Sequence, residues 1–81
     1  SAAASPDGRL LVAYVPPDHT GSITIDMTAM SGPTRARWFN PTTAVYTIIE
    51  VGLPPLGTMA FTPPGDNGTG FSDWVLLLET P

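Results

Sequence analysis

"TRARWFNPTTAVYTIIEV", residues 34–51, is two strand-like runs separated by a turn. Asn40 and Pro41 suit the first two positions of a type I turn, so residues 40–43 read as a hairpin loop. That loop sets Trp38 opposite Val45, Ala36 opposite Thr47 and Thr34 opposite Ile49 on one face. On the other face Phe39 stands opposite Ala44, Arg37 opposite Tyr46 and Arg35 opposite Ile48. A buried unpaired charge costs several kcal/mol, so the arginines are not expected to face a dry core. The Trp38 face therefore points inward and the Arg37–Tyr46 face outward. Arg37 is then close enough to Tyr46 for a cation–π contact of about 0.5–1 kcal/mol.

The same alternation of apolar runs and turn residues extends along the chain. "RLLVAYV" (9–15) and "DWVLLLE" (73–79) are apolar on both faces, as expected of central strands covered on both sides. "SITIDM" (22–27) alternates, with Ile23, Ile25 and Met27 on one face and Ser22, Thr24 and Asp26 on the other. "TMAFT" (58–62) reads as a short edge strand. Nine of the ten prolines and all eight glycines fall in clusters between these runs ("SPDG", "PPDHTG", "SGP", "NP", "GLPPLG", "PPGDNGTG"), as punctuation rather than as disorder. They leave no window long enough for an amphipathic helix, so "MTAMSG" and "WVLLLE" are not read as helical. The expected fold is all-β, a small antiparallel β-sandwich of about six to seven strands in one domain, residues 1–81.

Eighty-one residues bury roughly 60–65% of the surface that their unfolded form exposes, which makes one modest core. Without cysteine there is no disulfide, thiolate metal site or thiol nucleophile. Only 12% of residues are charged, lysine is absent, and the net charge is −4. That balance argues against nucleic acid and anionic membrane as partners, both of which need a basic footprint. No run approaches a bilayer span, and "SAAAS" lacks the basic and apolar regions of a signal peptide. Low charge, no lysine and eleven threonines lean towards an extracellular or periplasmic protein.

Reactive constellations are sparse. Asp26 and Glu50 are acids on wet strand faces and are read as solubilising charges rather than a glycosidase pair. The sole histidine, His19, sits in a turn beside Asp18 with no G-x-S-x-G elbow in the chain. "DNGTGFSD" (66–73) offers Asp66, Asn67 and Asp73 as oxygen ligands for calcium, but not in the spacing of an EF-hand loop. A solvated loop is the preferred reading, so no metal or other cofactor is assigned. Arg37, Phe39, Tyr46 and Phe71 are the candidates for surface contact, since partners favour aromatic and arginine anchors. Trp38 and Trp74 are assigned to the core.

Taken in order, "SPDGRLLVAYVP", "ITIDMTAMSG", "RARWFNPTTAVYTII" and "FTPPGDNGTGFSDWVLLLE" resemble the family named putative collagen-binding domain. Its members are small C-terminal β-sandwich domains that follow the catalytic (β/α)8 barrel of apiosidase-like glycoside hydrolases. The likeness covers nearly the whole chain and is most specific at "RWFNP" and at "FTPPG…DWVLLLE". One departure is Ala44, which stands where the family's turn usually has glycine. Alanine resists positive φ, so either the turn differs locally or Ala44 opens the next strand. The resemblance implies a non-catalytic accessory domain of a larger secreted enzyme of carbohydrate metabolism, with the upstream barrel as its partner and any catalytic acids in that barrel. The alternative it leaves is an autonomous binding module for polysaccharide or an extracellular protein such as collagen.

Overall fold

A computed structural model describes residues 2–16, 21–65 and 73–81. Seven strands form two antiparallel sheets: β1 (Ala2–Ala4), β2 (Leu10–Val15), β3 (Ile23–Asp26), β4 (Thr34–Asn40), β5 (Val45–Leu53), β6 (Thr58–Phe61) and β7 (Trp74–Glu79). Five of them build one sheet in the order β1-β2-β7-β4-β5, and β3 pairs with β6 in the other. The sandwich expected from the turn spacing is present.

Register explains the core. Across the inner face of the larger sheet, Leu11, Leu78 and Ala36 lie in one row, and Ala13, Leu76 and Trp38 in the next. Each row sets alanine beside leucine or tryptophan, which lets the second sheet settle into the relief. That sheet contributes Ile25 and Phe61, with Ile23 and Met59 packed at the margin. Trp38 and Trp74 meet edge to face with ring centroids 6.3 Å apart, both buried, as the sequence places them. The Trp74 indole N–H donates to the Gly65 carbonyl at 2.6 Å, so its polar end is not stranded.

The structure departs from the sequence reading at four places. "SAAAS" contains a strand, β1, because "SPDG" forms a well-tied hairpin turn. The Ser5 N–H donates to the Leu10 carbonyl (2.8 Å), the Ser5 hydroxyl accepts from the Leu10 N–H (3.0 Å), and Asp7 accepts from the Ser5 hydroxyl (2.7 Å) and the Arg9 N–H (3.1 Å). Alanine has little strand preference of its own, so the turn supplies what the run lacks. Second, "MTAMSG" is not wholly extended: a single 3-10 turn, Met27–Ala29, follows β3, capped by Asp26, which accepts from the Thr28 N–H. That turn drops Met27 and Met30 into the core.

The third correction is the register of the β4–β5 hairpin. Asn40 pairs with Val45, Phe39 with Tyr46, Trp38 with Thr47 and Arg37 with Ile48, two residues from the expected alignment. The loop is residues 41–44, closed by the Ala44 N–H on the Asn40 carbonyl (2.8 Å). The Asn40 side-chain oxygen accepts from the Thr42 and Thr43 N–H groups (2.9 and 3.3 Å). A shift of two keeps β4 and residues 45–48 of β5 on their expected faces, but the irregularities beyond bring Glu50 to the inner side opposite Ala36, and Val45 and Ile49, expected to point inward, remain 55% and 38% exposed. Ala44 neither avoids the family turn nor opens the strand; it adopts the left-handed conformation itself, at φ 59°. Further along, Ala36 faces Glu50 and Thr34 faces Leu53, so two irregularities interrupt β5, and Gly52 has φ 71°.

The fourth correction concerns covering. β2 and β7 have apolar side chains on both faces, yet only the inner face of their sheet is packed. Leu10 and Tyr14 remain 40% and 43% exposed on the other side.

Two substitutions test this account in urea unfolding of the 81-residue chain. Ala44→Gly is expected to stabilise by about 1 kcal/mol, by relieving left-handed strain. Gly8→Ala is expected to destabilise by about 2 kcal/mol or more, since Gly8 has φ 69° and an added Cβ would lie 2.9 Å from the Ala29 carbonyl oxygen. An unchanged midpoint for either would contradict the turn geometry.

Candidate interaction site

The outer face of the five-stranded sheet is where the sequence candidates converge. Register sets three rows across it. Tyr14, Val75, Phe39 and Tyr46 form one; Val12, Leu77, Arg37 and Ile48 the next; Leu10, Glu79 and Arg35 the third. Phe39 and Tyr46 pack with ring centroids 4.8 Å apart at 50°. The Arg37 guanidinium carbon lies 4.3 Å from the Tyr46 ring centre, so the expected cation–π pair forms, across a diagonal rather than directly opposite. Tyr46 is 50% exposed and Ile48 61%.

Apart from Asp73, which meets the Tyr14 hydroxyl, charge on this face lies in one cluster. Arg35 and Arg37 both donate to the same oxygen of Glu79, Oε1, at 3.1 and 2.6 Å. Burial pushes the Glu79 carboxyl up, but hydrogen bonds and charge from the two arginines outweigh it and hold the group below the usual glutamate range. The Nε atoms of both arginines are buried without a hydrogen-bond partner among the described residues.

The remaining candidates fare differently. Phe71, Asp66 and Asn67 lie outside the described residues, as do Asp18 and His19. Of the calcium ligands considered only Asp73 is described, and its carboxylate accepts from the Tyr14 hydroxyl at 3.5 Å. Among the described residues no three of His, Cys, Asp or Glu group as a metal site would require. Asp26 is held below the ordinary carboxylate range by the Thr28 hydroxyl and N–H that it accepts from. Glu50 accepts from the Val51 N–H. Both acids thus serve local backbone. A concavity of about 190 Å³ opens beside β1, β2 and β3, lined by Ala2, Ala13, Tyr14, Ile23, Thr24 and Ile25, with no titratable pair.

Sequence reasoning found Arg37, Phe39 and Tyr46 but not the company they keep. Leu10, Val12, Tyr14, Val75 and Leu77 were assigned to buried strand faces, and Glu79 to no role. The signal was there: two runs apolar on both faces call for two covers, and a chain of this size supplies one.

The ion cluster gives a pH test. A carboxyl whose folded pKa lies below its unfolded one stabilises above the unfolded pKa, and the contribution disappears as pH falls through the folded pKa. At neutral pH the parent chain is expected to exceed Glu79→Gln in stability by about 1 kcal/mol, in line with a part-exposed pair. That margin should shrink as pH drops below the ordinary glutamate range. A margin independent of pH in denaturant titrations would refute the assignment.

Known proteins place this geometry. Among solved structures, one titled "Glycoside hydrolase" superposes with a TM-score of 0.71 at 19% identity. The match covers 89% of this chain and 15% of that one, so the fold is shared and this chain spans a small part of that protein's length. No curated protein matches. No helix among the described residues is long and apolar enough to cross a membrane. A family model described as "Putative collagen-binding domain of a collagenase" matches residues 2–79, nearly end to end. The chain belongs to that putative collagen-binding domain family.

Proposed function

We propose that this chain is a non-catalytic accessory domain of a larger extracellular or periplasmic glycoside hydrolase of carbohydrate metabolism, and that it stabilises or positions the enzyme's upstream catalytic barrel. The observation that carries this reading is the uncovered outer face. β7 and β2 are built as strands covered on both sides, and the second side faces solvent. Apolar faces of that kind are cheap when covered by a neighbouring domain and a liability when left bare. The structural likeness to a small part of a glycoside hydrolase chain supports a neighbour of that type. Asp26 and Glu50 each accept a local backbone N–H, which is in keeping with assigning the chemistry to the neighbour.

A second reading rests on a different observation. Arg37, Phe39 and Tyr46 form an exposed aromatic–cation cluster of the sort that anchors ligands, so the domain itself binds polysaccharide or an extracellular protein such as collagen.

Ile48→Asn separates them. Exposed as it is, this substitution should alter the stability of the isolated chain by no more than about 1 kcal/mol. In the polypeptide that includes the catalytic barrel it should cost about 2–3 kcal/mol, because the amide is then buried unpaired in an apolar contact. Equal effects in both contexts, together with Tyr46-dependent retention of the isolated chain on collagen or a glycan array, would favour the second reading and sink the first.

A further inference from the structure

We propose, on the reading that the outer face docks against a catalytic domain, that the opposing surface of that domain is apolar and brings a single carboxylate to Arg35 and Arg37. Two guanidiniums share one carboxylate oxygen, so the cluster carries one positive charge more than it neutralises. Around it lie Leu10, Val12, Leu77, Phe39, Tyr46 and Ile48, none of which accepts a hydrogen bond from a guanidinium in this arrangement beyond the Tyr46 ring face.

While the face is wet, water satisfies the surplus. Once a partner covers it, an uncompensated guanidinium would be left in a dry contact, which is among the costlier outcomes of burial. An opposing carboxylate removes that cost and adds a charge-assisted, bidentate contact. Arg35 is the natural recipient: its side chain is 38% exposed, against 19% for Arg37, whose plane is already taken up by Tyr46. One acid is favoured over an acidic surface by the rest of the molecule. The chain carries a net charge of −4, so a broadly acidic partner would be repelled outside the cluster, whereas one acid set in apolar surroundings meets only the arginines.

The probe is a pair of dyes of similar size, titrated into the isolated chain by fluorescence. In 1-anilinonaphthalene-8-sulfonate the sulfonate stands for the partner's carboxylate beside an apolar body; N-phenyl-1-naphthylamine has the body without the charge. The anionic dye is expected to bind about tenfold more tightly than the neutral one. Arg35→Met should remove that preference, Arg35→Lys should retain much of it, and Ile48→Asn should weaken both dyes. Near-UV circular dichroism from the Trp38–Trp74 pair verifies that each variant keeps its core. Equal affinity for the two dyes, unaffected by Arg35→Met, overturns the carboxylate while leaving apolar docking intact. Failure of both dyes to bind overturns the docking reading as well. Arg35-dependent binding of sodium polygalacturonate would overturn the proposed occupant, by making a polysaccharide acid the natural one.

Discussion

Strand β7 is the member on which the larger sheet depends. It is hydrogen-bonded to β2 on one side and β4 on the other, joining the two hairpins, β1–β2 and β4–β5, that would otherwise be separate ribbons. Two-stranded ribbons are marginal in water, so the sheet exists as a unit only when β7 is in place. Its alternate residues then do two jobs. Trp74, Leu76 and Leu78 fill the interior, and Val75, Leu77 and Glu79 form the middle of the outer face. Glu79 collects both arginines of β4 from there. Core, face and charge cluster thus trace back to six consecutive residues.

Most of this was legible in the residues. Alternation in "SITIDM" and the arginines of "TRARWF" were enough to assign faces, and faces survive a two-residue slip of register. What could not be read was the slip itself. It depends on whether Ala44 accepts a left-handed backbone, and alanine's intrinsic preference argues against that. The Asn40 side chain, capping two loop N–H groups, and the pairing of the strands below it override the preference. β1 was invisible for the complementary reason: its three alanines carry no pattern, and the information sits in the turn that follows.

The candidate surface shows a further limit of local reading. Arg37 and Tyr46 are near in sequence, and their contact was foreseeable. Leu10, Tyr14, Val75 and Glu79 join them through pairings between residues more than fifty positions apart in the case of β2 and β7. Only topology brings such residues to one face. An apolar run on both sides of a strand was interpreted as burial within the domain, whereas it registers burial somewhere, including against a neighbour. On the proposed reading, a neighbouring domain supplies that second cover.

The irregularities of β5 bear on how a sheet edge is guarded in a lysine-free chain. A free sheet edge is ordinarily guarded by charge, lysine above all, and this chain has none to deploy. Two extra residues in the second half of β5 interrupt the ladder there instead, and bulges of this kind twist an edge away from an incoming strand. Guarding the rim by backbone shape rather than by charged side chains leaves Tyr46 and Ile48 free to remain apolar. The outer face therefore carries apolar residues as far as β5, while half of that edge strand is interrupted by backbone geometry and not by charge.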